Sequence, residues 1–223
     1  MNSSSSVHYV LTDPQERQHG YDPRSGVGFV KEIPGANYSN TSTGATDASG
    51  DPEESREFLF HFPEVARAGI YNVEVIGTRT AAYEIHGGAF VKEESGAYRD
   101  YNFGESKSVI AEDSVHHYRM HLPSDTTEEA WLRRVIEPAS LRRDLEAMNE
   151  VAHLTLPGEY SVASTRVGDY RAALAQGDSV AARQELEALA EYFEQNKDGT
   201  YVNTYDMLMQ DVERLLAKLP EGN

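Results

Sequence analysis

The chain has 223 residues, with 20 Lys and Arg against 37 Asp and Glu for a formal charge of −17, and no cysteine. The lack of Cys removes disulfides, a thiol nucleophile and Cys-ligated zinc, and the acidic excess, shared by both halves, repels phosphate backbones, so nucleic acid is not an expected partner. No apolar run approaches a membrane span, and Met1-Asn2-Ser3-Ser4-Ser5-Ser6 has neither the basic nor the apolar region of a secretion signal.

The hydrophobic period changes at mid-chain. Up to about Pro123 it is two, with aromatic and β-branched residues; after Pro138 it is three to four, with Ala, Leu and Glu. This predicts an α+β chain of two domains: an antiparallel β-sandwich, immunoglobulin-like or jelly-roll-like, over 1–130, and a four-helix bundle over 131–223.

The first strand is expected at Val7 to Thr12, closed by Asp13-Pro14; with Asp22-Pro23 this marks a tight hairpin around Gln15 to Tyr21. Residues 34–55 are poor in apolar side chains and read as a long exposed loop. Strand alternation returns with Phe58, Phe60 and Phe62, then with Tyr71, Val73 and Val75 between Gly69 and Gly77. Tyr83-Glu84-Ile85-His86 follows, ended by Gly87-Gly88, and a last strand places Tyr118, Met120 and Leu122 opposite His117, Arg119 and His121. Residues Ser124 to Glu137 read as a linker that Trp131, Leu132, Val135 and Ile136 keep packed, with Trp131 at the domain junction.

Four helices are expected beyond it. Pro138 and Ser140 start the first, with Leu141, Leu145, Met148 and Ala152 on one stripe; the second runs from Tyr160 to Leu174 and ends at Gln176-Gly177. Asp178 caps the third, whose stripe is Ala182, Leu186, Leu189, Ala190 and Phe193. The fourth runs from about Asn203 through Leu208, Val212, Leu215 and Leu219 to Pro220.

Candidate chemistry is sparse. There is no Gly-x-Ser-x-Gly elbow, His-Glu-x-x-His helix or phosphate-cradling loop. His117 and His121, about 13 Å apart at roughly 3.3 Å per strand residue, are too distant to share a metal. Asp47, Asp51, Glu53 and Glu54 offer oxygen ligands for Ca²⁺ without the spacing of a calcium loop. Among 13 tyrosines, Tyr98 and Tyr101 are the candidates for stacking on a sugar, whereas Tyr71, Tyr83 and Tyr118 fall on core-facing strand positions.

Two stretches resemble known families. Ala68-Gly69-Ile70-Tyr71-Asn72-Val73-Glu74-Val75-Ile76-Gly77-Thr78 with Ala81-Ala82-Tyr83-Glu84-Ile85 is similar to the strand pattern of pre-peptidase C-terminal and immunoglobulin-like accessory domains, which stand beside exported hydrolases and von Willebrand-type domains. The lead-in from Leu11 to Pro23, followed by Glu32-Ile33-Pro34-Gly35-Ala36-Asn37-Tyr38, resembles that of some members, with Glu16 where a Gly is more usual. The run from Ala172 to Leu189, with Asn196-Lys197-Asp198-Gly199 and Leu208 to Leu216, resembles the FIMAH-like helical domains at the ends of secreted bacterial enzymes.

The resemblance implies a non-catalytic accessory, adhesion or spacer region of a bacterial exported or cell-surface protein, with no cofactor. It also implies that Met1 opens an excised piece whose export signal lay upstream. A carbohydrate or cell-wall binding module and a hydrolase using loop carboxylates are the alternatives. Polysaccharide or another surface protein would be the partner.

Overall fold

The computed structural model describes residues 7–42, 45–46, 52–53, 56–61, 67–92, 98–124, 127–151, 154, 158–197 and 202–220. The chain divides into two compact units, one of Met1–Ser106 with Glu112–Val135 and the other of Lys107–Ala111 with Ile136–Asn223.

The first unit is built on an antiparallel six-stranded sheet. Its strands are β1 (Val7–Thr12), β2 (Gln18–Asp22), β3 (Gly28–Lys31), β8 (Gly69–Gly77), β11 (Val115–Leu122) and β12 (Trp131–Val135), in the spatial order β12-β11-β8-β1-β2-β3. Four further segments pair outside it: β4 (Asn37–Ser42) with β7 (Arg56–His61), and β5 (Ala45–Thr46) with β6 (Pro52–Glu53). A long ribbon joins β9 (Ala81–Lys92) to β10 (Tyr98–Ile110).

Strict alternation makes β8 and β11 the backbone of the sheet. Tyr71, Val73 and Val75 are buried on β8, and His116, Tyr118 and Leu122 on β11, with Tyr71 opposite Met120 and Val73 opposite Tyr118. β1 lies between β8 and β2 and is buried along both faces. The β1–β2 turn is held by Asp13. Its Oδ1 accepts the backbone N–H groups of Gln15 and Arg17, both at 2.9 Å, and its Oδ2 accepts Arg17 Nε and Nη2 at 2.8 and 2.6 Å.

Three segments differ from the sequence expectation. The polar stretch 34–55 contains β4, because Ser, Thr and Asn still offer a full backbone ladder to the apolar strand β7. Gly87-Gly88 does not end its strand; a Cβ at Gly87 would meet the Phe103 Cβ of β10 at 2.9 Å, so the glycine admits a close neighbour in mid-strand. Trp131 to Val135 is not linker but an edge strand, with His121 opposite Trp131 and Arg119 opposite Arg133.

The second unit is a four-helix bundle of α1 (Pro138–Glu150), α2 (Glu159–Ala175), α3 (Ser179–Gln195) and α4 (Val202–Leu216), in which each helix packs on the next and α4 returns to α1. Leu141, Leu145, Met148, Val167, Leu186, Leu189, Phe193, Leu208 and Val212 are completely buried in one core, which Val109 and Ile136 join. Glu137, not Ser140, is the N-cap of α1, with Pro138 at the first helical position where its missing N–H costs nothing.

Between α2 and α3 the chain reverses on Gly177, at φ +74°. Its N–H donates to Leu174 O and that of Asp178 to Ala173 O, both at 3.0 Å, the paired closure of a Schellman motif. Asp178 then caps α3 by accepting the Ala181 N–H at 2.9 Å. Arg183 of α3 donates to the carbonyls of Leu216, Leu219 and Pro220 at 3.2, 2.9 and 3.1 Å, satisfying the C-terminal end of α4.

Candidate functional site

Two polar constellations in the first unit invite a chemical reading, one sealed and one open. In the sealed one, the alternation of β11 sends His116 and Tyr118 to the buried face, and β9 supplies Tyr83. The Tyr83 hydroxyl is 2.7 Å from His116 Nδ1 and 2.8 Å from the Tyr118 hydroxyl, to which Ser106 Oγ donates at 3.4 Å. Tyr83, His116 and Tyr118 are only 5, 5 and 1% exposed. Burial first, then the neighbouring Tyr118 oxygen, pushes the Tyr83 hydroxyl well above the ordinary phenol range. Tyr83 therefore remains a neutral phenol at physiological pH, a hydrogen-bonding group rather than a base.

The open constellation lies on the opposite face of the same sheet, where three rungs run across β8, β11 and β12. One rung holds Glu74, His117 and Val135, the next Asn72, Arg119 and Arg133, and the third Ile70, His121 and Trp131. Asn72, Arg119, Arg133, His117 and Ile70 are exposed, and His121 and Trp131 half-buried. Trp131 is contacted by two neighbours: the His121 ring, 5.4 Å away between centroids, and the Arg133 guanidinium, 4.7 Å from its centroid. The carboxylates of this face have other occupations. Glu74 accepts Arg24 Nη2 at 2.6 Å and stands 3.8 Å from His117, and Glu128 is 3.9 Å from His121. The Asp22 carboxylate, hydrogen-bonded to Arg24 and then aided by Glu74, holds that guanidinium's pKa above its usual value.

The residues singled out in the sequence are distributed otherwise. Tyr101 is half-buried on β10, with Arg99 Nη1 donating to its hydroxyl at 3.5 Å. Tyr98 opens the same strand, and its side chain lies outside the described ones; an odd separation puts the two positions on opposite faces of the strand. Of the calcium candidates, Asp47, Asp51 and Glu54 lie outside the described residues, and Glu53 is described only through its backbone in β6. Among the described residues no group of three or more His, Asp and Glu is placed to hold a metal ion. His117, Arg119 and His121 share the open face with Arg119 between them, as strand alternation requires. Sequence reasoning missed the junction of Tyr83 with His116, which joins positions 33 residues apart. It also missed the pairing of Arg119 with Arg133, since β12 was read as linker.

Among the described residues no helix is long and apolar enough to cross a membrane. No protein-family model matches the chain, and no curated protein matches it.

Proposed function

We propose that the chain is a non-catalytic accessory region of a bacterial exported or cell-surface protein, a β-sandwich followed by a helical bundle, that spaces or presents neighbouring domains and adheres to a polysaccharide or another surface protein. The observation that carries this reading is where the reactive side chains go. Tyr83, His116 and Tyr118 are hydrogen-bonded to one another at 5% exposure or less, out of reach of a solute. In the bundle, Gly177, Asp178 and Arg183 of the FIMAH-like stretch are engaged in ending and starting helices. The sandwich form is supported by the bond from Tyr83 to His116, which brings β9 against the buried face of the six-stranded sheet.

The test is a turnover screen of the whole chain on fluorogenic peptide and glycoside substrates, with fractionation of the producing cells. No turnover above blank, and chain recovered outside the cytoplasm, are the expected results. Turnover abolished by His116→Ala would overturn the non-catalytic reading, and an exclusively cytosolic chain would overturn the exported one.

A further inference from the structure

The open face of β8, β11 and β12 runs against the charge of the whole molecule. Arg119 and Arg133 are direct cross-strand partners. Like charges in that position, with Cβ atoms about 5 Å apart, destabilise a sheet. A chain with 37 acidic residues has ample means of neutralising such a pair. Yet among the described residues neither guanidinium meets a carboxylate; Glu74 is turned to Arg24 and Glu128 stands by His121. Arg133 instead lies on the ring of Trp131, a cation–π contact that fixes the guanidinium while leaving N–H groups at its edge for an anion.

We infer that this face is a binding site for a carboxylate-bearing polysaccharide, a uronate polymer, with Arg119 and Arg133 taking the carboxylate and the part of the Trp131 indole that Arg133 and His121 leave exposed lying against the sugar. The inference rests on the accessory reading above and gives it a ligand class. Charge complementarity selects an anion, and two guanidiniums side by side match a planar carboxylate. The half-exposed indole one rung away, about 6.8 Å along the strand, selects a ligand with an apolar face next to that carboxylate. Asn72 completes the central rung with a neutral amide able to hydrogen-bond hydroxyl groups. Nucleic acid has the required anions, but its charge density is opposed by the chain's −17.

The test is titration calorimetry of the whole chain with oligogalacturonate, its methyl ester and poly-glutamate. Oligogalacturonate is expected to bind, its methyl ester at least tenfold more weakly. Arg119→Gln, Arg133→Gln and Trp131→Ala should each weaken binding tenfold or more. Because Arg119 and Arg133 oppose each other and only Arg133 lies on Trp131, Arg119→Gln should unfold at the same or higher urea concentration than the parent, which separates lost binding from lost folding. The inference is overturned if the folded parent does not bind oligogalacturonate or if the Arg variants bind it equally well. It is also overturned if poly-glutamate binds as tightly and Trp131→Ala changes nothing, which would assign the face to an acidic polypeptide. None of these results bears on the turnover screen, so the ligand can fail while the accessory reading stands.

Discussion

Replacing Tyr83 by Phe removes one oxygen and leaves the ring, so the apolar packing of the position is retained and the loss isolates the hydroxyl. That hydroxyl makes two short hydrogen bonds, 2.7 Å to His116 Nδ1 and 2.8 Å to the Tyr118 hydroxyl. A buried neutral hydrogen bond contributes about 1 kcal/mol net, and a ring nitrogen deprived of its partner away from water adds a desolvation penalty of about 1 kcal/mol or more. The substitution should therefore cost the β unit about 2–3 kcal/mol. Trp131 is the one tryptophan and belongs to that unit, so its fluorescence during urea unfolding reads the β unit without contribution from the helices. With a slope of about 2 kcal/mol/M, the midpoint should fall by about 1–1.5 M with no change in slope. Tyr118→Phe, which keeps the Tyr83–His116 bond, should cost about half as much. A midpoint shift below about 0.3 M for Tyr83→Phe would refute the assignment of the cluster as a stabilising buried network.

Glu16 sits at φ +63° in the β1–β2 turn, the left-handed region that costs an ordinary side chain about 1–2 kcal/mol. Glu16→Gly removes that strain and gives back about 0.5–1 kcal/mol in unfolded-chain entropy, so a net gain of about 0.5 kcal/mol is expected in the same urea assay; a loss would show that the Glu16 side chain holds the turn. Burial, and then the charge of Lys31, hold the His19 imidazole below its usual range. The unfolded chain consequently binds more protons than the folded one as pH falls below about 6.5, so His19 contributes a loss of stability on acidification and none above about pH 7.5. The fluorescence midpoint, followed from about pH 7.5 to about pH 5, should decline less steeply in His19→Gln than in the parent; equal slopes would refute it.

What the sequence made legible is what a local period encodes. The stripes of Leu141, Leu145 and Met148, and of Leu186, Leu189 and Phe193, identify helices because each stripe must bury one face, and all six are completely buried. Alternation did the same for Tyr71, Val73 and Val75 and for Tyr118 and Leu122. Asp178 was legible as a cap because its carboxylate acts three residues away. The misses belong to another class. β4 and β10 carry polar runs that lack an apolar stripe and are strands through their pairing with β7 and β9, and β9 passes through glycines that a local reading treats as stops. β12 is a short edge strand whose register on β11 cannot be read from its own residues. The sealed cluster was half legible: Tyr83 and Tyr118 read as core-facing, but their contact joins positions 35 residues apart. Nothing local marks the role of Arg183, because the carbonyls it serves are more than 30 residues downstream.

The two faces of the six-stranded sheet treat polarity in opposite ways, and the contrast is what separates structure from recognition here. On the buried face the polar groups of Tyr83, His116 and Tyr118 are drawn into a mutual network, which offsets the cost of holding them in a low-dielectric interior. On the open face solvent would tolerate any arrangement, so stability alone favours setting opposite charges side by side, as Glu74 is with Arg24. The Arg119–Arg133 rung breaks that pattern in a chain of −17. At physiological salt the screening length is about 8 Å, close to the spacing of neighbouring rungs. The acidic excess elsewhere therefore repels densely charged polymers at a distance without cancelling the local attraction of this rung for a single carboxylate. An anionic polymer with one charge per sugar, more widely spaced than in duplex nucleic acid, that also offers an apolar face to Trp131 satisfies both conditions, whereas neither the fold nor the net charge by itself calls for two adjacent arginines.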